Sequence, residues 1–322
     1  MINLPSTDPQ KTASCDHADW LGMLARVLVV AMLMLVGVSN MAIAQNRSDA
    51  LVVKLPMDVG SDYCQRKVAW DQYSEYHVDL LRLAARLSSE DITITPICMD
   101  YPTEERRIPM LQAGKEINTV FFGTNAKREE VLLPAYVPIY LGTTGVRLFM
   151  TREDMLDDLS DVQSVEDLQK FSMGQGLGWP DNAILEDNGF SVAVGRYATL
   201  HRMLAANRFD LYPRAYWQIH AEWNWMKEQA KGIVIAPEIA LYYPQPIYFF
   251  FSPNEPRLRD AIEAGLKRAY SNGLLFDLLK TNWETAPSFQ NIKLRDIRVF
   301  RIRNDKITPQ STEALRQYGI YD

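Results

Sequence analysis

Apolar and polar positions along the chain switch between a period of two and a period near 3.6, and the switches lay out alternating strands and helices. "LVVKLPM" (51–57), "ITITPICM" (92–99) and "INTVFFG" (117–123) read as strands. Between them, residues 73–87 place Tyr76, Leu80, Leu81 and Ala84 at helical spacing, and residues 103–114 form a second helix capped by Thr103 and closed by Gly114. This first stretch is a β-α-β-α-β unit. A strand at 145–150 follows, then a short helix at 164–171 with Ser164 as cap and Asp167 in the box position. "SMGQGLG" leads into a helix starting near Pro180 and stopping at Gly189, and "SVAVG", "YATLHRMLAANR", "FDLYPR" and "QIHAEWNWMKEQA" continue as strand, helix, strand and helix. The chain then returns through an apolar strand at 246–253 and a helix at 255–283 broken at Gly273.

The pattern predicts an α/β protein of two lobes: residues 45–147 with 244–322, and residues 148–243. Two crossings, near 143–150 and 240–247, join them, so that a cleft between the lobes can close on a ligand. At 322 residues and 47% hydrophobic composition there is material for two cores.

The first 44 residues differ in kind. Arg26 precedes an apolar run over 27–38, and Ala42, Ile43 and Ala44 then supply a small-residue cleavage site before Gln45. The run falls short of the roughly 20 residues of a spanning helix. It reads as a cleaved signal peptide directing the protein to the periplasm, with Met1 or Met23 as the start. Cys15 lies in this leader. Cys64 and Cys98 are left to meet an oxidising compartment, where a bridge between them is expected; two buried free thiols are the other reading.

Charge and chemistry remove several functions. A formal net charge of −6 offers no basic face for nucleic acid. The four histidines, at 17, 77, 201 and 220, make no metal spacing, and no serine or cysteine sits in a nucleophile motif, so no metal, cofactor or catalytic group is expected. "HAE" at 220–222 lacks the P-C-x-x-C partner of a zinc deaminase. "GQGLG" is not a dinucleotide fingerprint, having neither the third glycine nor the acid that would follow.

Four stretches, "RRIPMLQAGKEINTVFFGTNAKREEVLLPAYVPIY" (106–140), "SVEDLQKFSMGQGLG" (164–178), "LHRMLAANRFD" (200–210) and "PIYFFFSPNEPRLRDAIEAGLKRAYSNGLLFDLLKTNW" (246–283), resemble in their order the family 3 extracellular solute-binding proteins of amino-acid uptake. The resemblance implies the type II periplasmic binding fold, a monomer that closes on a small molecule, and an ABC transporter permease as partner. It places a carboxylate-gripping arginine at Arg128 in "TNAKREEV", beside Gly123 and Thr124, with Lys127 where the family has a glutamate. The second lobe would contribute backbone N–H groups at a glycine-rich turn, here Gln175 and Gly176, ahead of Trp179. Where the family places an acid for the ligand's amine, this chain has Arg214. Either Arg214 faces the cleft and selects a carboxylate-bearing or anionic solute over an amine, or it pairs internally with an acid such as Glu222. Tyr63, Trp70, Trp179, Tyr212, Tyr216 and Trp217 are candidates for stacking on the ligand or for core packing, with Tyr63 the ligand candidate of the first lobe. A sensor or orphan module of the same fold, signalling to a membrane receptor, is the alternative to transport.

Overall fold

The computed structural model of the protein describes residues 50–100 and 102–321; the signal peptide expected at 1–44 lies outside the described residues. The first lobe opens with β1 (Leu51–Asp58), α1 (Tyr76–Leu87), β2 (Ile92–Met99), α2 (Glu104–Ala113), β3 (Thr119–Gly123), α3 (Ala126–Val131) and β4 (Leu133–Pro134). β1 and β2 pair in parallel, Leu51 opposite Ile92 through Asp58 opposite Met99. Asn118 stitches β1 to the entry of β3, its Nδ2 donating to Val52 O at 2.8 Å and its Oδ1 accepting from Lys54 N at 2.7 Å. A disulfide between Cys64 and Cys98, with Cα atoms 5.7 Å apart, fastens the loop after β1 to β2, as expected.

The chain crosses on β5 (Val146–Arg152) into α4 (Leu156–Ser160), α5 (Val165–Leu168), β6 (Met173–Gly176), α6 (Asp181–Asp187), β7 (Val192–Gly195), α7 (Tyr197–Ala205), β8 (Tyr212–Ala215), α8 (Ile219–Met226) and β9 (Ile233–Tyr242). Period-two alternation sorts β5 onto two cores. Leu148 and Met150 pack with Leu200, Leu204 and Tyr212, while Phe149 packs on the other face with Met173, Ile184 and Leu241. β5 is antiparallel to both β8 and β9; β6 and β7 form a parallel pair, linked to the region before β8 by a bridge from Met173 to Leu211.

Return to the first lobe is made by β10 (Ile247–Phe251), antiparallel between β3 and β4. Tyr248, Phe249, Phe250 and Phe251 are all fully buried, which is why this strand reads as an unbroken apolar run. α9 (Pro256–Ser271) and α10 (Leu274–Thr281) follow, separated by Gly273 at φ +75°, and then α11 (Ala286–Asn291). β11 (Arg298–Arg301) pairs in parallel with β9, so part of the 244–322 segment expected in the first lobe belongs to the second lobe's sheet. Phe300 and Val299 face the two cores flanking that sheet, and their burial explains the placement. α12 (Pro309–Tyr318) then comes back to the first lobe, where Ala314 and Tyr318 enter the core. Among the described residues no helix is long and apolar enough to cross a membrane.

Candidate functional site

Arg128 is placed by the start of α3. Asn125 caps that helix, its Oδ1 accepting the Arg128 N–H at 2.9 Å, and the turn directs the side chain inward until only 5% of the residue is exposed. Nη1 donates to Gly123 O at 2.5 Å on the first lobe, and Nη2 donates to Gly178 O at 3.1 Å on the second. The guanidinium carbon lies 4.6 Å from the Phe122 ring centroid, and Nη2 is 2.7 Å from Glu104 Oε2. That last contact brings opposite charges together without the alignment of a hydrogen bond. The other carboxylate oxygen of Glu104 is 3.9 Å from Arg107 Nη2.

Gly123 and Thr124 sit beside this arginine. A Cβ on Gly123 would meet Gln245 Nε2 at 2.7 Å and Pro180 Cγ at 3.5 Å, so the absence of a side chain lets the second lobe's turn approach. Thr124 is wholly buried and internally engaged: its N–H donates to Pro246 O, its carbonyl accepts from Gln245 Nε2, and its hydroxyl donates to Glu129 Oε1 at 2.5 Å.

On the second lobe, Arg214 stands on β8 opposite Leu148, 5% exposed. Its Nε and Nη2 donate to the two oxygens of Glu222, each at 2.5 Å. Trp179, Tyr212 and Tyr197 surround the guanidinium carbon at 4.8, 4.8 and 5.6 Å from their ring centroids. Burial works against the charge, but the Glu222 carboxylate and the adjoining phenols outweigh it and raise the arginine's pKa. Of the two expectations for this residue, the structure holds the internal pair with Glu222; the free cation facing a ligand is not what it contains.

The side chain of Gln175, a residue named for its backbone N–H, and the ring of Trp179 lie on opposite sides of β6. A side chain on Gly176 would collide with the Trp179 ring at 2.2 Å, so Gln175, one step along the strand, points the other way. Gln175 is fully buried and neither amide atom has a hydrogen-bond partner. Tyr63 joins Trp70 and Tyr73 in a first-lobe aromatic cluster, with ring centroids 5.2 and 6.3 Å away.

No protein-family model matches the sequence, and no curated protein matches it. Solved structures do. An ancestral arginine-binding protein bound to arginine superposes with a TM-score of 0.52 at 16% identity, over 74% of this chain and 100% of that one. An ancestral amino acid-binding protein, a precursor of cyclohexadienyl dehydratase, gives 0.50 at 16% identity, over 73% and 95%. The fold is that of the type II periplasmic binding proteins.

Within this periplasmic binding fold, three groups of buried charge lie beyond the expected residues. Glu104, at the first position of α2, supplies the carboxylate on Arg128. Arg147 and Asp181 form a buried pair at 2.6 Å between β5 and α6, with the Tyr243 hydroxyl donating to Asp181 at 2.5 Å. At the start of α1, Glu284 Oε2 accepts the Tyr76 N–H at 3.0 Å. Burial, with help from Glu75, Glu222 and Asp79, pushes the Glu284 carboxyl up to about 7. Glu75 is raised as well, chiefly by burial, and Tyr73 donates its hydroxyl to it. Two surface cavities of about 480 Å³ open elsewhere, one beside Arg82 and Glu90, the other beside Trp223 and Ile292. Among the described residues no group of His, Cys, Asp and Glu is set to hold a metal.

Proposed function

We propose that the chain is an exported, monomeric solute-binding protein that takes a small carboxylate-bearing molecule onto Arg128 between its lobes and passes it to an ABC transporter permease. One observation supports this above the others: a buried guanidinium bonds to backbone of both lobes and already has a carboxylate, that of Glu104, against it. A planar fork of donors suits the two oxygens of a carboxylate, and a group touching both lobes couples occupancy to the angle between them. The selection rests on Arg128 alone, since Glu222 neutralises Arg214. A preference for acids is therefore retained, while repulsion of amines by Arg214 is not part of the reading.

Calorimetry on acids and their matching amides tests it. Arg128→Met is expected to weaken acid binding by about 100-fold, the equivalent of about 3 kcal/mol for a charge-assisted hydrogen-bonded contact, and to leave the amides unaffected. Equal acid affinity in the variant and the wild type removes Arg128 from the site.

A further inference from the structure

We infer that Glu104 is a resident competitor for the ligand's place on Arg128, so that binding proceeds by exchange of one carboxylate for another. The inference rests on Arg128 gripping a carboxylate, as proposed above. Its own support is the unfinished character of the Arg128–Glu104 contact. Only Oε2 comes close, at 2.7 Å, and it lacks hydrogen-bond alignment; Oε1 stops 3.9 Å from Arg107. Arg128 meanwhile keeps two aligned bonds, to Gly123 O and Gly178 O, that do not depend on Glu104. The acid can leave without dismantling the arginine's position.

Its location makes leaving easy. Glu104 is the first residue of α2 and its side chain is 14% exposed, so rotation about side-chain bonds carries the carboxylate toward water while the backbone stays helical. An acid at a helix start interacts favourably with the N-terminal dipole in either position. A tethered carboxylate competes at an effective concentration in the millimolar range, and a free one must overcome it. The consequence is a selectivity rule: an anionic ligand exchanges with Glu104, whereas a neutral analogue would displace a charge from Arg128 and return none.

The test compares wild type, Glu104→Gln, Glu130→Gln and Arg128→Met, the last also combined with Glu104→Gln. Acetate, succinate and benzoate serve as probes, each beside its amide, in thermal-shift titrations to about 50 mM. Glu130 is an exposed carboxylate two residues past Arg128 and controls for loss of charge alone. Glu104→Gln is expected to bind the acids about 10- to 100-fold more tightly than wild type. The amides and the Glu130→Gln protein are expected to show no such gain, and both Arg128→Met proteins to bind the acids about 100-fold more weakly than wild type. Unchanged acid affinity in Glu104→Gln, a gain equalled by Glu130→Gln, or no acid binding by folded Glu104→Gln overturns the inference. Acid affinity equal to that of wild type in both Arg128→Met proteins overturns the Arg128 assignment instead. Should Glu104→Gln not fold, Glu104→Asp, which keeps the charge but withdraws it by one methylene, carries the same expectation with a smaller gain.

Discussion

The two arginine–glutamate pairs of the cleft region differ in completeness rather than in burial. Arg128 and Arg214 are each 5% exposed, and the side chains of Glu104 and Glu222 are each 14% exposed. Yet Glu222 takes both donors of the Arg214 fork, the Tyr197 hydroxyl at 2.8 Å and the Gln218 amide at 3.3 Å, whereas Glu104 makes an unaligned contact with Arg128 and stands 3.9 Å from Arg107. Solvent access cannot separate them. The count of satisfied hydrogen bonds does, and it marks the Arg214 pair as structure and the Arg128 pair as exchangeable.

The largest expected effect breaks the complete pair. Glu222→Ala strands a guanidinium among three aromatic rings and is expected to cost about 3–5 kcal/mol in denaturant unfolding. Replacing both partners, as Arg214→Met with Glu222→Leu, is expected to recover most of that loss, because the uncompensated charge goes with the pair. A single-variant cost below about 1 kcal/mol would mean that the rings and water carry the charge without Glu222, and the contrast between the pairs would collapse.

A smaller effect sharpens the electrostatic side of the comparison. Glu284 lies near Glu222 as well as Glu75 and Asp79, and its folded-state pKa is about 7 against an ordinary value of 4.5. A raised carboxyl pKa means the folded protein holds the proton more tightly than the unfolded chain, so stability from this group is fully present below pH 4.5 and is lost as pH rises through about 7. Glu284→Gln keeps an acceptor for the Tyr76 N–H and removes the charge. It is expected to be more stable than wild type by about 3 kcal/mol at pH 8 and equal to it at pH 4. The difference between the two proteins is the quantity to measure. His77, whose pKa burial and Arg107 lower to about 3, loses its contribution as pH falls below its ordinary 6.5, and this opposite trend cancels in the difference.

How far the sequence discloses these features depends on the range of the interaction that makes them. β2 occupies the 92–99 span expected from its alternation, and the break between α9 and α10 falls at Gly273, where a left-handed φ favours glycine. β9 is harder to read: exposed Pro237 and Glu238 interrupt a ten-residue strand, and its partners come from distant segments. The four residues of β11 carry too little pattern to show which lobe they join. Glu222 stands eight residues from Arg214 and could be named as its partner, whereas Glu104 looks like any acid in a first helical turn until the fold brings it to Arg128. The opposed directions of Gln175 and Gly176 follow from strand alternation alone. Tyr63 shows the reverse difficulty, since an aromatic residue near a strand end serves a ligand or, as here, its aromatic neighbours equally well.

The smallest effect is the most discriminating. Glu104→Gln is expected to change stability by no more than about 1 kcal/mol, against about 3–5 kcal/mol for Glu222→Ala. The reasoning is local. Arg128 keeps its bonds to Gly123 O and Gly178 O, the Phe122 ring face remains beside the cation, and the substituted amide occupies the same space with an oxygen that can still approach Nη2. What is lost is a charge contact with Arg128 that lacked hydrogen-bond geometry from the outset, and a distant one of 3.9 Å with Arg107. Glu222→Gln extends the comparison with the same chemical change, since there an amide nitrogen must replace one of two carboxylate oxygens in a fork that accepts only acceptors. Urea unfolding of both glutamine variants at pH 7 decides the matter. A clear gap, with Glu104→Gln near wild type, leaves the Arg128 pair free to exchange with a ligand. Equal losses in the two would make Glu104 as structural as Glu222, and a ligand carboxylate would then have to reach Arg128 at the expense of the fold.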